Sequence, residues 1–291
     1  MDIYMQLFLN SLQIGAAYIL FSLGLTLIFG VMRIVNFAHG EFFTFTLLLM
    51  GLSVPWLVGA DMPLPVAYAL GGAISIVLTL LLGALIYKFA FKRFQRDMTG
   101  SFVVSVGLSL LLQGIFLEVF GGVPSKLPTL VEGTVNILGA FITAERLIIT
   151  GIALLVAIVM CWVIAASKLG KALRAVAEDH EAAMLQGIPY RKIAFVGFLI
   201  ATFLAAIAAA LLSPVAVTSP IIGSDYLIRG FIAIVIGGLG SIPGAILGSI
   251  LIAVIESVGG YYFDPTSATI AMFVLTMLVL LIRPKGIMGN G

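Results

Sequence analysis

The fold class of this chain is most evident in one stretch of its sequence, Gly230-Phe-Ile-Ala-Ile-Val-Ile-Gly-Gly-Leu-Gly-Ser-Ile-Pro-Gly-Ala-Ile-Leu-Gly-Ser-Ile-Leu-Ile-Ala-Val-Ile255. It carries no charge over 26 residues, and a helix needs about 20 apolar residues to cross the hydrocarbon core of a bilayer. The glycines and the proline between Gly237 and Gly244 disfavour one continuous helix. We therefore predict a short segment, a turn and then a full helix that begins near Pro243, a residue that the first helical turn tolerates.

Seven other apolar stretches surround this one in the sequence. They cover residues 6–30, 42–58, 64–87, 101–117, 147–167, 193–212 and 266–282. The composition agrees, because 62% of the residues are hydrophobic and 10% are charged, whereas soluble domains average about 25% charged residues. The predicted fold class is an all-α integral membrane protein with about nine membrane segments, some of them broken or re-entrant helices.

The positions of the basic residues predict the orientation of the chain. Lys and Arg concentrate in cytoplasmic loops. An N-terminus outside the cell places 12 of the 15 basic residues inside, Arg96 among them, and leaves Lys126, Arg146 and Arg229 outside. If residues 230–255 formed one span, Arg283 and Lys285 would move outside. The charges therefore favour the break, with the N-terminus outside and the C-terminus cytoplasmic.

The chain reads as a single transmembrane domain over residues 1–291. Residues 121–146 form the predicted external loop, an ordered loop or hairpin that contains Pro124, Pro128 and Gly133. Residues 168–190 form the predicted cytoplasmic loop, a short amphipathic helix followed by Gly187 and Pro189 as stop signals.

Motifs for covalent chemistry are missing from the sequence. His39 and His180 are far apart and have no metal-ligand spacing with other residues. No glycine-rich nucleotide loop with a following lysine occurs, and no serine elbow occurs. We expect no catalytic residue, no metal site and no cofactor in this chain, and we expect no nucleic-acid partner. A carboxylate at mid-membrane, which a secondary transporter would use for ion coupling, is also not evident.

The cytoplasmic loop carries the first resemblance to a known family. Glu181-Ala182-Ala183, followed after three residues by Gly187, resembles the Glu-Ala-Ala-x-x-x-Gly signature of permease subunits of bacterial ABC importers. In that family the segment is a coupling helix that docks onto an ATPase subunit. The resemblance assigns coupling to Arg174, Glu178, Asp179, Glu181, Ala182, Ala183 and Gly187. The alternative is an ordinary solvated loop.

Three further segments extend the resemblance over nearly the whole chain. Residues 24–41, residues 236–248 and the ending Arg283-Pro-Lys-Gly286 are similar to the branched-chain amino acid permease family, in particular its shorter, H-type subunit. Permeases for urea and short-chain amides share these motifs. The resemblance implies a second permease subunit, two cytoplasmic ATPase subunits that bind the ATP, an extracytoplasmic substrate-binding protein and a multi-pass location in the bacterial plasma (inner) membrane, among its lipids.

The two predicted breaks supply the candidate residues of a translocation path. These are Asn36, His39 and Glu41 at the first break, and Gly237, Gly238, Gly240 and Gly244 at the second. Each set has a structural alternative. Asn36 can cap a helix and Glu41 can complement its dipole, and glycines spaced by four residues can pack helices. Glu118, Glu256 and Arg229 are interfacial charges, contacts for the binding protein or polar groups of an outer vestibule.

These observations predict a permease subunit of an ATP-driven importer for branched-chain or other hydrophobic amino acids, working by alternating access. One alternative is the same machine for urea, short-chain amides or a sugar. Another is a secondary transporter or channel without an ATPase.

Overall fold

A computed structural model describes residues 2–94 and 97–289, so Arg96 lies outside the described residues. Of the described residues, 78% are helical. Its helices are α1 (Asp2–Met32), α2 (His39–Gly59), α3 (Leu64–Phe89), α4 (Met98–Phe120), α5 (Ala144–Ala166), α6 (Lys168–Glu178), α7 (His180–Leu185), α8 (Tyr190–Leu212), α9 (Ile222–Gly237), α10 (Ile242–Tyr262) and α11 (Pro265–Ile282). A short 3-10 turn covers Phe91–Arg93, and two strands, β1 (Thr134–Ile137) and β2 (Ala140–Thr143), complete the described elements.

Eight of these helices are long and apolar enough to cross a membrane: α1 to α5, α8, α10 and α11. The predicted all-α membrane fold is therefore confirmed. The predicted break is also confirmed, because α9 ends at Gly237 and α10 begins at Ile242. The short segment before the break begins at Ile222, eight residues earlier than the uncharged stretch, because the helix includes Asp225 and Arg229. The orientation and the count of nine stay predictions.

Polar side chains mark the starts of several helices. Asp97 accepts a hydrogen bond from the backbone N–H of Gly100 at the start of α4. Ser241 does the same with Gly244 for α10, and Asp264 accepts from Thr266 and Ser267 for α11. Each cap satisfies a backbone donor that has no partner within its helix. These caps fix where the chain leaves a turn and begins the next helix.

The contacts divide the chain into two compact units. Unit 1 comprises the described parts of Met1–Thr26, Val131–Cys161 and Ile228–Gly291, and unit 2 those of Leu27–Leu130 and Trp162–Leu227. The single-domain boundary stays a prediction.

The loop between α4 and α5 contains a β-hairpin, as the sequence predicted, and the hairpin belongs to unit 1. Strands β1 and β2 pair antiparallel, with Ile137 opposite Ala140. Ala140 and Ile142 share one face of β2 and pack against Leu9 of α1. Gln6 of α1 also accepts a hydrogen bond from the backbone N–H of Phe141. The hairpin is therefore fixed to α1 by apolar packing and by a hydrogen bond.

The core of unit 2 is formed by α2, α3 and α8. Phe198 of α8 is fully buried and packs against the rings of Phe42, Tyr87 and Phe91. The hydroxyls of Thr46 and Thr79 lie 2.8 Å apart between α2 and α3. A buried hydroxyl pair satisfies polar groups that lipid could not satisfy.

Candidate functional site

The loop that was predicted to be cytoplasmic forms two helices, α6 and α7, where the sequence predicted one short helix. Asp179 has an extended backbone, with φ −146° and ψ 109°. Its carboxylate accepts hydrogen bonds from the N–H groups of Glu181 and Ala182, at 2.9 and 3.1 Å. Asp179 therefore ends α6 and caps the start of α7. The prediction of a single helix was wrong because this cap competes with continuation of the helix.

Three apolar side chains anchor α6 and α7 to the rest of unit 2. Leu173, Val176 and Ala183 are buried, and the side chain of Leu173 lies against Gly197 of α8. The ring of His180 meets that of Tyr190 edge to face, with centroids 5.7 Å apart. We therefore expect both short helices to move together with α8.

Arg174 ties the same segment to α5. Its guanidinium donates hydrogen bonds to the carbonyl oxygens of Ile164 and Ala165, in the last turn of α5. These carbonyls belong to the group that has no partner within a helix. A cation near a helix C-terminus also complements the helix dipole. Arg174 and Asp179 therefore both form hydrogen bonds within this chain.

The remaining predicted coupling residues lie at the surface. Glu178, Glu181, Ala182 and Gly187 are exposed, whereas Ala183 is buried. Gly187 has φ +81°, which only glycine adopts without strain, and it ends the segment after α7. The structure thus separates the signature into an anchor, Ala183, and an exposed set.

Sequence reasoning missed two exposed apolar residues on α7. Met184 is 47% exposed and Leu185 is 87% exposed. Large apolar side chains at the end of a short polar helix are typical of a contact surface. Their position directly after the Glu181-Ala-Ala sequence was the available signal. We name Glu181, Ala182, Met184, Leu185 and Gly187 the α7 surface.

The first membrane break lies between α1 and α2. Asn36 is buried, and its side-chain oxygen accepts a hydrogen bond from the N–H of Ala38 at 3.0 Å. Ala38, not Asn36, is the residue that precedes the first helical residue, His39. Asn36 thus stabilises the turn before the helix instead of capping it directly. His39 is fully buried, with its ring edge to face with Phe42.

Glu41 stands in the first turn of α2 and is fully buried. Its Oε1 accepts hydrogen bonds from Ser109 and Gln113 of α4, both at 2.8 Å. Gln113 also donates to Ser224 of α9, at 3.0 Å. These bonds link three helices through one carboxylate. Because Glu41 lies in the first turn of α2, the expectation that no ion-coupling carboxylate lies at mid-membrane stays a prediction. The polar residues that satisfy Glu41 come from a helix distant in the sequence.

The beginnings of α2 and α9 meet through two glycines. A Cβ added to Gly40 or to Gly223 would overlap the backbone carbonyl of the other residue. The N–H of Gly223 donates to the hydroxyl of Thr44 at 3.0 Å, and the rings of Phe43 and Tyr226 stack with centroids 4.2 Å apart. The backbones are thus as close as glycine permits.

The second membrane break shows the same use of glycine. A Cβ on Gly237 or Gly244 would overlap the carbonyl of the other residue, and one on Gly248 would overlap that of Ala233. Gly238 and Gly240 have φ of +114° and +83°, values that glycine adopts readily. These contacts give the glycines a packing role. Their predicted place on a translocation path stays a prediction.

The C-terminal turn closes the second break. The N–H groups of Ile287 and Met288 donate to the carbonyls of Ile236 and Gly237, both at 2.8 Å. These are the last residues of α9, whose carbonyls lack partners within the helix. The sequence matched this turn to a family motif but did not indicate what it contacts.

A third polar group lies in unit 1. The hydroxyl of Tyr18 on α1 donates to Oε2 of Glu256 on α10, at 2.5 Å. Nε of Arg229 on α9 lies 3.2 Å from Oε1 of the same carboxylate. Both charged side chains remain about a quarter exposed, Arg229 at 28% and Glu256 at 24%. The sequence left the roles of Arg229 and Glu256 open, and the structure shows that they form an ion pair.

Comparison with known proteins identifies the family. Residues 7–282 match the model of the permease component of the branched-chain amino acid transport system. The chain is 33% identical to the high-affinity branched-chain amino acid transport system permease protein BraD of Pseudomonas aeruginosa, over 99% of this chain and 96% of the relative. It is 30% identical to the permease protein LivH of Escherichia coli, over the same shares of the two chains. No solved structure gives a significant match. This multi-pass membrane protein belongs to the family of branched-chain amino acid transport permeases.

Proposed function

We propose that the chain is a permease subunit of an ATP-driven importer and forms part of the translocation path for branched-chain amino acids. The observation that carries the proposal is the full-length similarity to BraD and LivH, whose names state high-affinity branched-chain amino acid transport. The architecture supports it, because eight candidate spans and a short cytoplasmic helix pair suit a subunit that moves cargo while a partner hydrolyses ATP.

The α7 surface is the proposed docking site for a cytoplasmic ATPase. Leu185 offers an apolar anchor and Glu181 an exposed charge. Interfaces concentrate their binding energy in a few such anchors. Behind this surface, Leu173 and Ala183 hold the segment on unit 2, and Arg174 holds it on the end of α5. Movement of α7 would therefore be transmitted directly to α5 and α8.

The complete machine, on this proposal, contains a second permease subunit, two ATPase subunits that bind ATP, and an extracytoplasmic binding protein, in a bacterial inner membrane. This chain contributes no covalent chemistry. Alternating access would reorient the helices around the breaks at residues 33–38 and 238–241. Asn36, His39, Glu41 and the four glycines of the second break are the proposed path residues.

The test is reconstitution of the chain with its natural companions in proteoliposomes. We expect leucine uptake that requires ATP and the binding protein. The double variant Glu181→Gln/Gly187→Ala should keep its fold but lose uptake and ATPase coupling. Lys171→Gln, on the exposed face of α6, is the matched control and should behave as the wild type. Full uptake by the double variant would overturn the docking assignment.

Cargo is decided by competition in the same vesicles. Unlabelled leucine, isoleucine and valine should each suppress uptake of labelled leucine, whereas urea and ribose should not. Suppression by urea alone would assign the chain to the amide-type alternative.

One observation favours a second candidate, a secondary transporter. Glu41 is a fully buried carboxylate within a span, and such residues often couple ion movement in transporters. Uptake that persists without ATP and collapses when ionophores abolish the ion gradients would establish this second function.

A further inference from the structure

Arg229 and Glu256 form an ion pair well inside unit 1. A helix rises about 1.5 Å per residue. Arg229 therefore lies roughly 10–12 Å from either end of α9, and Glu256 roughly 9 Å from the nearer end of α10. The hydrocarbon core is about 30 Å thick. Both charges are therefore set back from the ends of their helices.

Small residues bring the three helices around this pair together. A Cβ on Gly230, next to Arg229, would contact Phe21 of α1 at 2.6 Å, and one on Gly15 would contact Ala253 of α10 at 3.4 Å. The hydroxyl of Tyr18, which is 5% exposed, fixes one oxygen of Glu256. The carboxylate is thus held in place by α1, while Arg229 approaches it from α9.

Complete burial of the pair would leave no charged surface for a ligand. Arg229 and Glu256 instead keep about a quarter of their side-chain surface open. This surface presents a guanidinium and a carboxylate side by side. An α-amino acid carries a carboxylate and an ammonium group on one Cα, so its two charges complement this pair. Guanidinium binds carboxylate strongly, in charge-assisted hydrogen bonds.

We propose that Arg229 and Glu256, positioned by Tyr18, form a subsite for the charged end of a zwitterionic amino acid. The α-carboxylate pairs with Arg229 and the α-ammonium with Glu256, so the substrate inserts between two charges that otherwise pair with each other. The apolar side chain of the substrate needs no polar contact. The subsite rests on the proposed amino-acid transport for its substrate class.

The pair re-forms when the substrate leaves, and this limits the affinity of the subsite. A translocation site must bind substrate weakly enough to release it. Exchange of one ion pair for two others satisfies this condition, because no charge is left unpaired in either state.

The first test uses the assembled importer in proteoliposomes, with Arg229→Gln, Glu256→Gln and the double variant. Each single variant replaces one charge of the Arg229–Glu256 pair and should lose both stability and uptake. The double variant replaces both charges, so its unfolding temperature should stay near that of the wild type while leucine uptake falls roughly tenfold. Glu118→Gln, an exposed carboxylate of α4, is the control and should leave uptake unchanged. Wild-type uptake by the stable double variant would overturn the subsite and leave a structural pair.

A second readout avoids the binding protein, which selects substrates by itself. Leucine at high concentration should raise the unfolding temperature of the permease–ATPase complex, since a ligand stabilises the state that it binds. Leucinamide, which lacks the carboxylate, and 4-methylpentanoate, which lacks the amine, should not. The double variant should show no leucine effect. Equal stabilisation by all three compounds, or by leucine in the double variant, would overturn the proposal.

Two outcomes separate this inference from the proposed function. If the wild-type importer shows no ATP-dependent leucine uptake, the proposed function fails, and the stabilisation experiment still decides the subsite. If the double variant does not fold, Tyr18→Phe replaces it, because it removes only the hydroxyl that holds Glu256. If Tyr18→Phe needs about threefold or more leucine for the same rise in unfolding temperature, the subsite is supported. An unchanged leucine requirement overturns it.

Discussion

Nη2 of Arg174 lies 3.1 Å from the carbonyl oxygen of Ala165, so the short helix α6 is hydrogen bonded to the end of α5. The loop that precedes it contributes Ser167 as a cap, whose hydroxyl accepts from the N–H of Gly170. Together these bonds make the corner between α5 and α6 stiff. A stiff corner can transmit movement of α7 into the membrane.

We predict that Arg174→Gln softens this corner without unfolding the protein. The hydrogen bonds of a charged donor are worth about 1.5–3 kcal/mol when buried, and the exposure of Arg174 reduces this to roughly 1 kcal/mol. Amide exchange in residues 168–187 should rise about fivefold, and uptake should fall while ATPase binding persists. Lys171→Gln is the control on the same helix. Unchanged exchange would show that the bonds carry no rigidity.

Leu185→Ser should weaken binding of the ATPase subunits without affecting stability. The side chain is 87% exposed in this chain, so its removal costs no packing within the chain. Loss of an apolar anchor from an interface costs about 1–3 kcal/mol, which is on the order of tenfold or more in affinity. Co-purification of the ATPases and substrate-stimulated ATP hydrolysis measure the effect. The neighbouring exposed variant Gln186→Ser should bind normally, and equal binding by both variants would remove Leu185 from the interface.

The apolar runs predicted the spans because lipid demands internally satisfied helices of a set length. The break at 237–244 was predictable for the same reason, since glycine and proline act locally. Asp179 shows where this reasoning ends. Its sequence context suits both a helix interior and a cap, and only the extended backbone decides between them.

Contacts between distant residues were beyond the sequence. Nothing near Glu41 indicates that Gln113 and Ser109 satisfy it, because they lie on another helix. Likewise, Arg229 and Glu256 are separated in sequence by the glycine break, and only the fold of α9 against α10 pairs them. Single charged residues in apolar surroundings, such as Glu41, Arg229 and Glu256, were visible in the sequence. Their partners were not.

Gly223→Ala should destabilise the protein strongly. The new methyl group would overlap the backbone carbonyl of Gly40, and backbone cannot move as a flexible side chain can. Overpacking of this kind costs about 1–3 kcal/mol. Gly114→Ala in α4 is the matched control, because a Cβ there meets no atom within 4 Å and alanine favours a helix. In detergent, the unfolding temperature of Gly223→Ala should be well below that of the wild type. That of Gly114→Ala should equal or exceed the wild-type value. The reverse order would contradict the close approach of α2 and α9.

Ile287→Pro should destabilise the second break. Proline removes the N–H that donates to the carbonyl of Ile236 at the end of α9. A lost hydrogen bond that leaves a buried acceptor costs about 1–3 kcal/mol. Ile287→Ala keeps the N–H and isolates the effect of the side chain. A lower unfolding temperature for the proline variant alone would assign the effect to the backbone bond, and equal values would show that the turn does not stabilise α9.

Variants of Glu41 distinguish a structural role of its carboxylate from a role in ion coupling. Glu41→Gln keeps an oxygen that can accept from Ser109 and Gln113, so we expect the fold and the uptake to persist. Glu41→Ala removes the acceptor that Ser109 and Gln113 share and opens a cavity, so it should lose about 2–4 kcal/mol of stability. Unfolding temperature and ATP-dependent leucine uptake measure the two effects. An ion-coupled transporter requires protonation or ion binding at this carboxylate, and Gln supports neither. A stable Glu41→Gln variant without uptake would give the carboxylate a direct part in transport, as a path residue or as an ion-coupling group, and the dependence of wild-type uptake on ATP or on ion gradients separates these two roles. Normal uptake would assign Glu41 to holding α2 against α4.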